Sequence, residues 1–194
     1  MPKSILIIDG HPDPDPDRYC HALCAAYERG AKSAGHRVKQ LPLSQCDFPI
    51  LRTRAEWENG EAVDAIQRAQ VDIANANHLV FVYPLWLGDM PALLKGFFEQ
   101  AFRPGFAIAP EHISLLPGLL KRKSARVVVT MGMPAFVYRW FFFAHSLKSL
   151  ERNILRFSGL HPVRHTLIGN IEGIQASARQ NWLSVMEELG KAGR

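Results

Sequence analysis

The 194 residues, 47% hydrophobic and 21% charged, have the composition of an ordinary globular protein with enough apolar material for one sizeable core. A net charge of +5 favours anionic ligands, but apart from Lys121-Arg122-Lys123, expected in a solvated loop, the basic residues are scattered without interleaved aromatics, which argues against nucleic-acid binding. The cysteines Cys20, Cys24 and Cys46 make neither a disulfide framework nor a zinc motif, and no apolar stretch matches a signal peptide or a membrane span. A single cytoplasmic domain over residues 1–194 is expected, with no metal site and no integral membrane segment.

In chain order, Ser4 to Ile8 predicts the first strand. The loop from Asp9 to Arg18 carries three alternating prolines that forbid helix, so the first helix is expected to begin near Asp17 as its N-cap and to cover Arg18 to Ala34, with Gly35 as its stop. Free amides at that helix start would favour an anion such as phosphate. Four aspartates in the loop oppose one, and Arg18 and His21 offset part of that repulsion. Cys20 and Cys24 share a helix face at i, i+4 spacing, as packing residues. A second strand is expected at Val38 to Leu43 and a second helix at Glu61 to Ala76.

Leu79 to Tyr83 is a continuous apolar run, the pattern of a strand covered on both faces, and Pro84 ends it because proline cannot continue a central ladder. Leu85-Trp86-Leu87-Gly88 follows as a loop. Asp89 is a candidate cap and Pro91 a first-turn residue for a helix to Phe102, with Leu93, Leu94, Phe97, Phe98 and Ala101 as its apolar stripe. Strand, aromatic loop and helix in this order suit a flat aromatic cofactor.

The fourth strand is expected at Ala125 to Thr130, followed by a loop from Met131 to Tyr138 in which Gly132 would let the backbone approach a ligand. Trp140 to Phe143 then open a helix to Phe157 with more aromatic surface than one stripe can hide. About half is expected in the core and the rest at a subunit interface or against a stacked ligand. Tyr138 and His145 are the tyrosine and histidine near this loop, each able to exchange a proton with a substrate. His36, His112, His161 and His165 belong to no shared motif and are read as structural or exposed. Gly159 stops the helix before a fifth strand at Val163 to Ile168, and a last helix covers Ile174 to Leu189.

Five strands alternating with five helices imply an α/β protein of three layers, with right-handed crossovers and helices on both faces of a parallel sheet. The flavodoxin-like winding, order 2-1-3-4-5, fits the strand number. Ligands bind such sheets beyond the carboxyl ends of the strands, where the winding reverses, which nominates the loops after strands 1, 3 and 4.

The motifs themselves resemble the flavodoxin-like NAD(P)H quinone dehydrogenases of the DT-diaphorase and modulator of drug activity B type. The resemblance rests chiefly on Tyr83-Pro84-Leu85-Trp86 followed by Met90-Pro91-Ala92-Leu93-Leu94-Lys95-Gly96. It is joined by His11-Pro12, His21-Ala22-Leu23, Arg103-Pro104-Gly105-Phe106-Ala107, and Thr130-x-Gly132 with Tyr138. It implies a bound flavin, FMN or FAD, with His11, Arg18, Tyr19 and Cys20 at the phosphate and ribityl part. Pro84, Leu85, Trp86 and Leu87 would line the ring, with Thr130, Met131, Gly132, Met133 and Tyr138. It further implies NADH or NADPH as donor, a quinone-like acceptor, Tyr138 and His145 as catalytic residues, and a homodimer with the site at the subunit boundary. Arg18-Tyr19-Cys20 replaces the family's Ser-Phe-Asn, the first loop is longer by about two residues as variable loops allow, Met133 replaces a glycine and Leu87 an aromatic.

Three other functions occur on this winding. Some relatives are ancillary subunits of potassium efflux transporters. A small electron-transfer flavodoxin would be strongly acidic, against the +5 here. A response-regulator receiver needs an aspartate at the end of strand 3, where this chain has Val82-Tyr83-Pro84.

Overall fold

The computed structural model describes residues 1–110 and 118–194; His112 lies outside them. Five strands, β1 (Ser4–Asp9), β2 (Arg37–Pro42), β3 (His78–Pro84), β4 (Ser124–Thr130) and β5 (Val163–Ile168), form one parallel sheet in the order β2-β1-β3-β4-β5. The register pairs Asp9 with Val82 and Pro84 with Thr130, so the ends of β1, β3 and β4 reach one edge together.

Period-2 alternation sends successive residues into two separate cores. Ile5, Ile7, Val80, Val82 and Val128 pack with Leu23, Ala26, Tyr27 and Met186 beneath α1 (Tyr19–Ser33) and α7 (Ala176–Lys191). Leu6, Ile8, Leu79, Phe81, Val127 and Val129 face the opposite way, toward Ile66, Ile73, Leu94, Phe97, Leu147 and Leu150. Those side chains come from α3 (Asp64–Asn75), α4 (Ala92–Ala101), α6 (His145–Ser149) and a π-helical stretch, Leu150–Arg156. The continuous apolar run of β3 is thus explained, since all seven of its residues are buried. The edge strands β2 and β5 carry exposed Arg37, Lys39, Arg164 and His165, charges that discourage edge pairing.

Several expected boundaries move. The helix expected at Glu61 to Ala76 is α3, which begins three residues later at Asp64, and an additional short helix, α2 (Arg54–Asn59), precedes it, capped by Thr53, whose side chain accepts from the Glu56 amide. Leu43 begins a 3₁₀ turn, Leu43–Gln45, instead of ending β2. Pro91 is the N-cap of α4 rather than its first residue, and the Asp89 carboxylate accepts from the Met90 amide without capping the helix. Lys123, expected in a solvated run, is half-buried and donates to Ala74 O and Ala76 O, closing the last carbonyls of α3.

The largest change follows β4. A helix α5 (Ala135–Trp140) already contains Tyr138, so the expected loop to Tyr138 is short. Phe143 and Ala144 take left-handed backbone, φ 53° and 48°, so the helix expected from Trp140 starts only at α6, while α5 ends at Trp140. The break turns Trp140, Phe141, Phe142 and Phe143 outward, and none reaches the core of the chain, against the half that was expected there. Among the described residues no helix is long and apolar enough to cross a membrane.

Candidate functional site

The β1 strand ends on Asp9, a carboxylate only 3% exposed. From His11 to Asp17 the chain alternates proline with residues whose side chains can accept a hydrogen bond. Proline has no amide to satisfy, and each intervening amide finds the side chain two residues earlier. His11 N donates to Asp9 Oδ1 (3.1 Å), Asp13 N to His11 Nδ1 (3.1 Å), Asp15 N to Asp13 Oδ1 (3.0 Å) and Asp17 N to Asp15 Oδ1 (3.1 Å). The aspartates are therefore turn formers, and Asp13 and Asp15 also hold Arg18 at 2.8 and 3.0 Å.

Asp17 does not cap α1. The N-cap is Arg18, with no side-chain hydrogen bond and no acidic residue in the first turn. The first amides of such a helix have no intrahelical partner and carry the positive end of its dipole. His21, one turn in, reaches back with Nδ1 2.5 Å from Asp9 Oδ2 and Nε2 3.0 Å from Asp13 O. Burial disfavours charge on His21, but the hydrogen bond and charge of Asp9 outweigh it and raise its pKa. Burial, then the nearby His21, lower that of His11.

The aromatic loop after β3 is a two-residue turn. Trp86 and Asp89 exchange both backbone hydrogen bonds, 2.8 and 2.9 Å, while Leu87 and Gly88 take φ 48° and 81°. A leucine in left-handed backbone costs about 1 kcal/mol, and its side chain stands fully in solvent. Leu85 N donates to Thr130 O (2.7 Å), which carries the β3–β4 pairing past Pro84.

Between these loops lies a cleft of about 420 Å³. Seven of the residues singled out from the sequence line it: His11, Arg18, Tyr19, Cys20, Pro84, Trp86 and Thr130. His11 meets the Trp86 ring edge-on at 6.0 Å, and Cys20 Sγ lies 3.4 Å from the buried Thr130 hydroxyl. Burial pushes the Cys20 thiol up to about 12, so it is a packing group.

The remaining candidates sit elsewhere. Leu85 and Met133 pack on the core, Met131 is buried, and Gly132 lies beneath Glu172, whose Oε1 would be 3.1 Å from a Cβ added there. Tyr138 is 2% exposed, its hydroxyl 2.7 Å from Ser146 Oγ and accepting from Leu147 N at 3.1 Å. His145 is exposed and stacks on Phe143. Tyr138 and His145 therefore belong to the broken helix and do not line the cleft of the single chain.

Sequence reasoning did not nominate Ile171, Glu172 and Arg179, which close the cleft from the connection after β5 and from α7. Arg179 lies over the Tyr19 ring, 5.4 Å from its centroid, and the Tyr19 hydroxyl donates to Arg179 O at 2.9 Å. No motif marks these residues; only the sheet order brings them within reach.

A cleft beyond the carboxyl ends of β1 and β3, where a 2-1-3-4-5 sheet reverses its winding, is the ligand position of flavodoxin-like α/β proteins. The chain belongs to the flavodoxin-like fold family, whose model matches residues 3–189. It is 28% identical over 191 residues to a Haemophilus influenzae protein named as an NAD(P)H oxidoreductase, covering 96% of this chain and 94% of the relative. Among solved structures it resembles an NAD(P)H:quinone oxidoreductase from Methanothermobacter marburgensis, with TM-score 0.84, 23% identity and 98% of each chain covered. It also resembles an FMN-dependent NADH-azoreductase from Bacillus anthracis in complex with FMN, with TM-score 0.76, 19% identity, and 97% and 98% of the two chains covered.

Proposed function

We propose that this protein is a flavin-dependent NAD(P)H oxidoreductase that reduces quinones or related small acceptors by two-electron transfer, that its flavin is FMN, and that it works as a cytosolic homodimer. The observation that carries the reading is the mixed chemistry of the cleft's lining. It combines the uncapped start of α1 and Arg18 with Pro84 and the Trp86 ring, together with Thr130 and His11. Such a donor set fits a planar ring on a phosphate tail. Names of relatives add to this, since one is an NAD(P)H oxidoreductase and one structural neighbour holds FMN.

In this reading the amides of Tyr19 and Cys20, with Arg18, hold the phosphate. Pro84 and Trp86 flank the ring, and the turn at Leu87-Gly88 closes one side. When bound, the flavin supplies the hydride chemistry, and the protein positions donor and acceptor and excludes water. Tyr138 and His145 serve the acceptor side. Tyr138 does so by holding the broken helix in place from the core, and His145 presents an exposed imidazole to an acceptor at the subunit boundary.

Titration of the purified protein with FMN and FAD, followed by NADH and NADPH oxidation with a panel of benzoquinones and naphthoquinones, tests the assignment. Tight FMN binding and quinone-dependent NAD(P)H oxidation are expected. Absence of flavin binding, or binding without any NAD(P)H oxidation, would overturn it.

A further inference from the structure

Four hydrogen bonds join Asp9, His11, Asp13 and His21 into a closed circuit behind the first loop. His11 N reaches Asp9 Oδ1, His21 Nδ1 meets Asp9 Oδ2, His21 Nε2 meets Asp13 O, and Asp13 N reaches His11 Nδ1. The protons in this circuit can be assigned by counting donors and acceptors. A carbonyl oxygen can only accept, so His21 Nε2 carries a proton. With Asp9 as a carboxylate, both of its oxygens can only accept, one from the His11 amide and the other facing His21 Nδ1, so Nδ1 carries one too. His21 is therefore an imidazolium. The Asp13 amide can only donate, so His11 Nδ1 is bare and its proton sits on Nε2. His11 is then neutral, and its ring lies in the wall of the cleft.

The electrostatics agree with the count. Asp9 raises the proton affinity of His21, while burial and the His21 charge lower that of His11. The titratable groups facing His21 are Asp9 from β1 and His11 and Asp13 from the loop, and Asp9 in turn meets Cys24 from α1, whose thiol burial raises far above its ordinary range. Among these His21 is the one cation. It sits behind a loop whose aspartates would otherwise repel an anion, and adds its charge to that of Arg18, which two of them share.

We propose that Asp9 and His21 are positioning residues: the pair keeps a fixed positive charge under the first loop and presents His11 as an Nε2–H donor, and so lets an aspartate-rich loop hold an anionic cofactor. The role of the pair in cofactor affinity rests on the flavin reading given above; the protonation pattern does not.

Two measurements separate them. In the cofactor-free protein at pH 7, ¹H–¹⁵N spectra of the histidine rings should show His21 protonated at both nitrogens and His11 as the neutral Nε2–H form. FMN titrations should then show His21→Gln and Asp9→Asn weakened by about tenfold or more, the order expected for loss of a charge-assisted contact, while His21→Arg, which keeps the cation, retains more affinity than His21→Gln. The pH profile distinguishes charge from mere packing: relative to wild type, Asp9→Asn should lose affinity as pH rises through about 6.5, where an unassisted histidine discharges. A neutral His21 in the spectra overturns the proposal whatever the fold of the variants. So does FMN affinity in folded His21→Gln equal to wild type. Wild-type protein that binds no FMN overturns the flavin reading and the affinity role with it.

Discussion

Tyr138 carries its hydroxyl into the core, where it accepts from the Leu147 amide at the start of α6 and pairs with Ser146. Phenylalanine would keep the ring and strand that amide. Because an unmade buried hydrogen bond costs its full desolvation, Tyr138→Phe should lower stability by about 1–3 kcal/mol, a melting-temperature drop of several degrees in calorimetry. Unchanged stability with lowered quinone turnover would instead place the hydroxyl at the acceptor. His78 makes a prediction of a different kind. Burial, with Lys3 and Arg126 adding to it, lowers its pKa to about 3. The unfolded chain titrates the same ring near 6.5. Between those values the unfolded state binds more protons, so the contribution of His78 to stability is complete above about pH 6.5 and is lost as pH falls toward 3. Urea unfolding at pH 4.5 and 7.5 should show wild type weaker at the lower pH, with the difference reduced in His78→Gln. An equal difference in both proteins would remove His78 from the acid limb.

At the scale of elements, α1 and α7 cross so closely that two glycines are obligatory. A Cβ on Gly30 would lie 1.9 Å from Glu187 O, and one on Gly190 would lie 2.1 Å from Tyr27 O. Glycine to alanine inside a helix ordinarily stabilises by about 1 kcal/mol. Here the backbones must separate, and Gly30→Ala should instead cost about 3 kcal/mol in denaturant unfolding; a gain in stability would contradict the packing. Neither glycine announced itself in the sequence, because the contact joins residues more than 150 positions apart. What was legible came from local pattern. Continuous or alternating apolar runs placed all five strands to within about a residue, and the β-α alternation with its strand number anticipated their order. Helix ends were less legible, since they depend on caps. Asp17 looks like a cap but spends its amide on Asp15 while its successor Arg18 takes the N-cap position. The break at Phe143-Ala144 was illegible for a related reason. It is made by two non-glycine residues in left-handed backbone, a conformation no propensity favours, and it is held from Tyr138. The cleft followed the same rule: the residues on the loops after β1, β3 and β4 were nominated, while Glu172 and Arg179 come from sequence-distant positions that only the folded sheet assembles.

The whole molecule leaves one large surface unexplained by its own core. Phe136, Trp140, Phe141, Phe142 and Phe143 are all exposed, Trp140 at 71% and Phe141 at 73%, and they cluster on α5 and the break that follows it. An apolar patch of this kind is a partner site far more often than a bare surface. The partner we propose is a second copy of the chain, which would bring His145, stacked on Phe143 within the patch, to the boundary between subunits. In a two-fold dimer each substitution acts twice, once from each protomer. Removing a Phe side chain from a buried interface forfeits about 1.5–3 kcal/mol of transfer free energy. Replacing Phe141 and Phe142 together by serine should therefore weaken self-association by at least about a hundredfold. The same change should leave the melting of the protomer nearly untouched, since neither ring contributes to its core. Sedimentation equilibrium at micromolar protein reads the first effect, and calorimetry at low concentration reads the second. A wild-type protein that sediments as a monomer, or a double variant that pairs as tightly as wild type, would assign the patch to another partner and return the acceptor side of the site to a single chain.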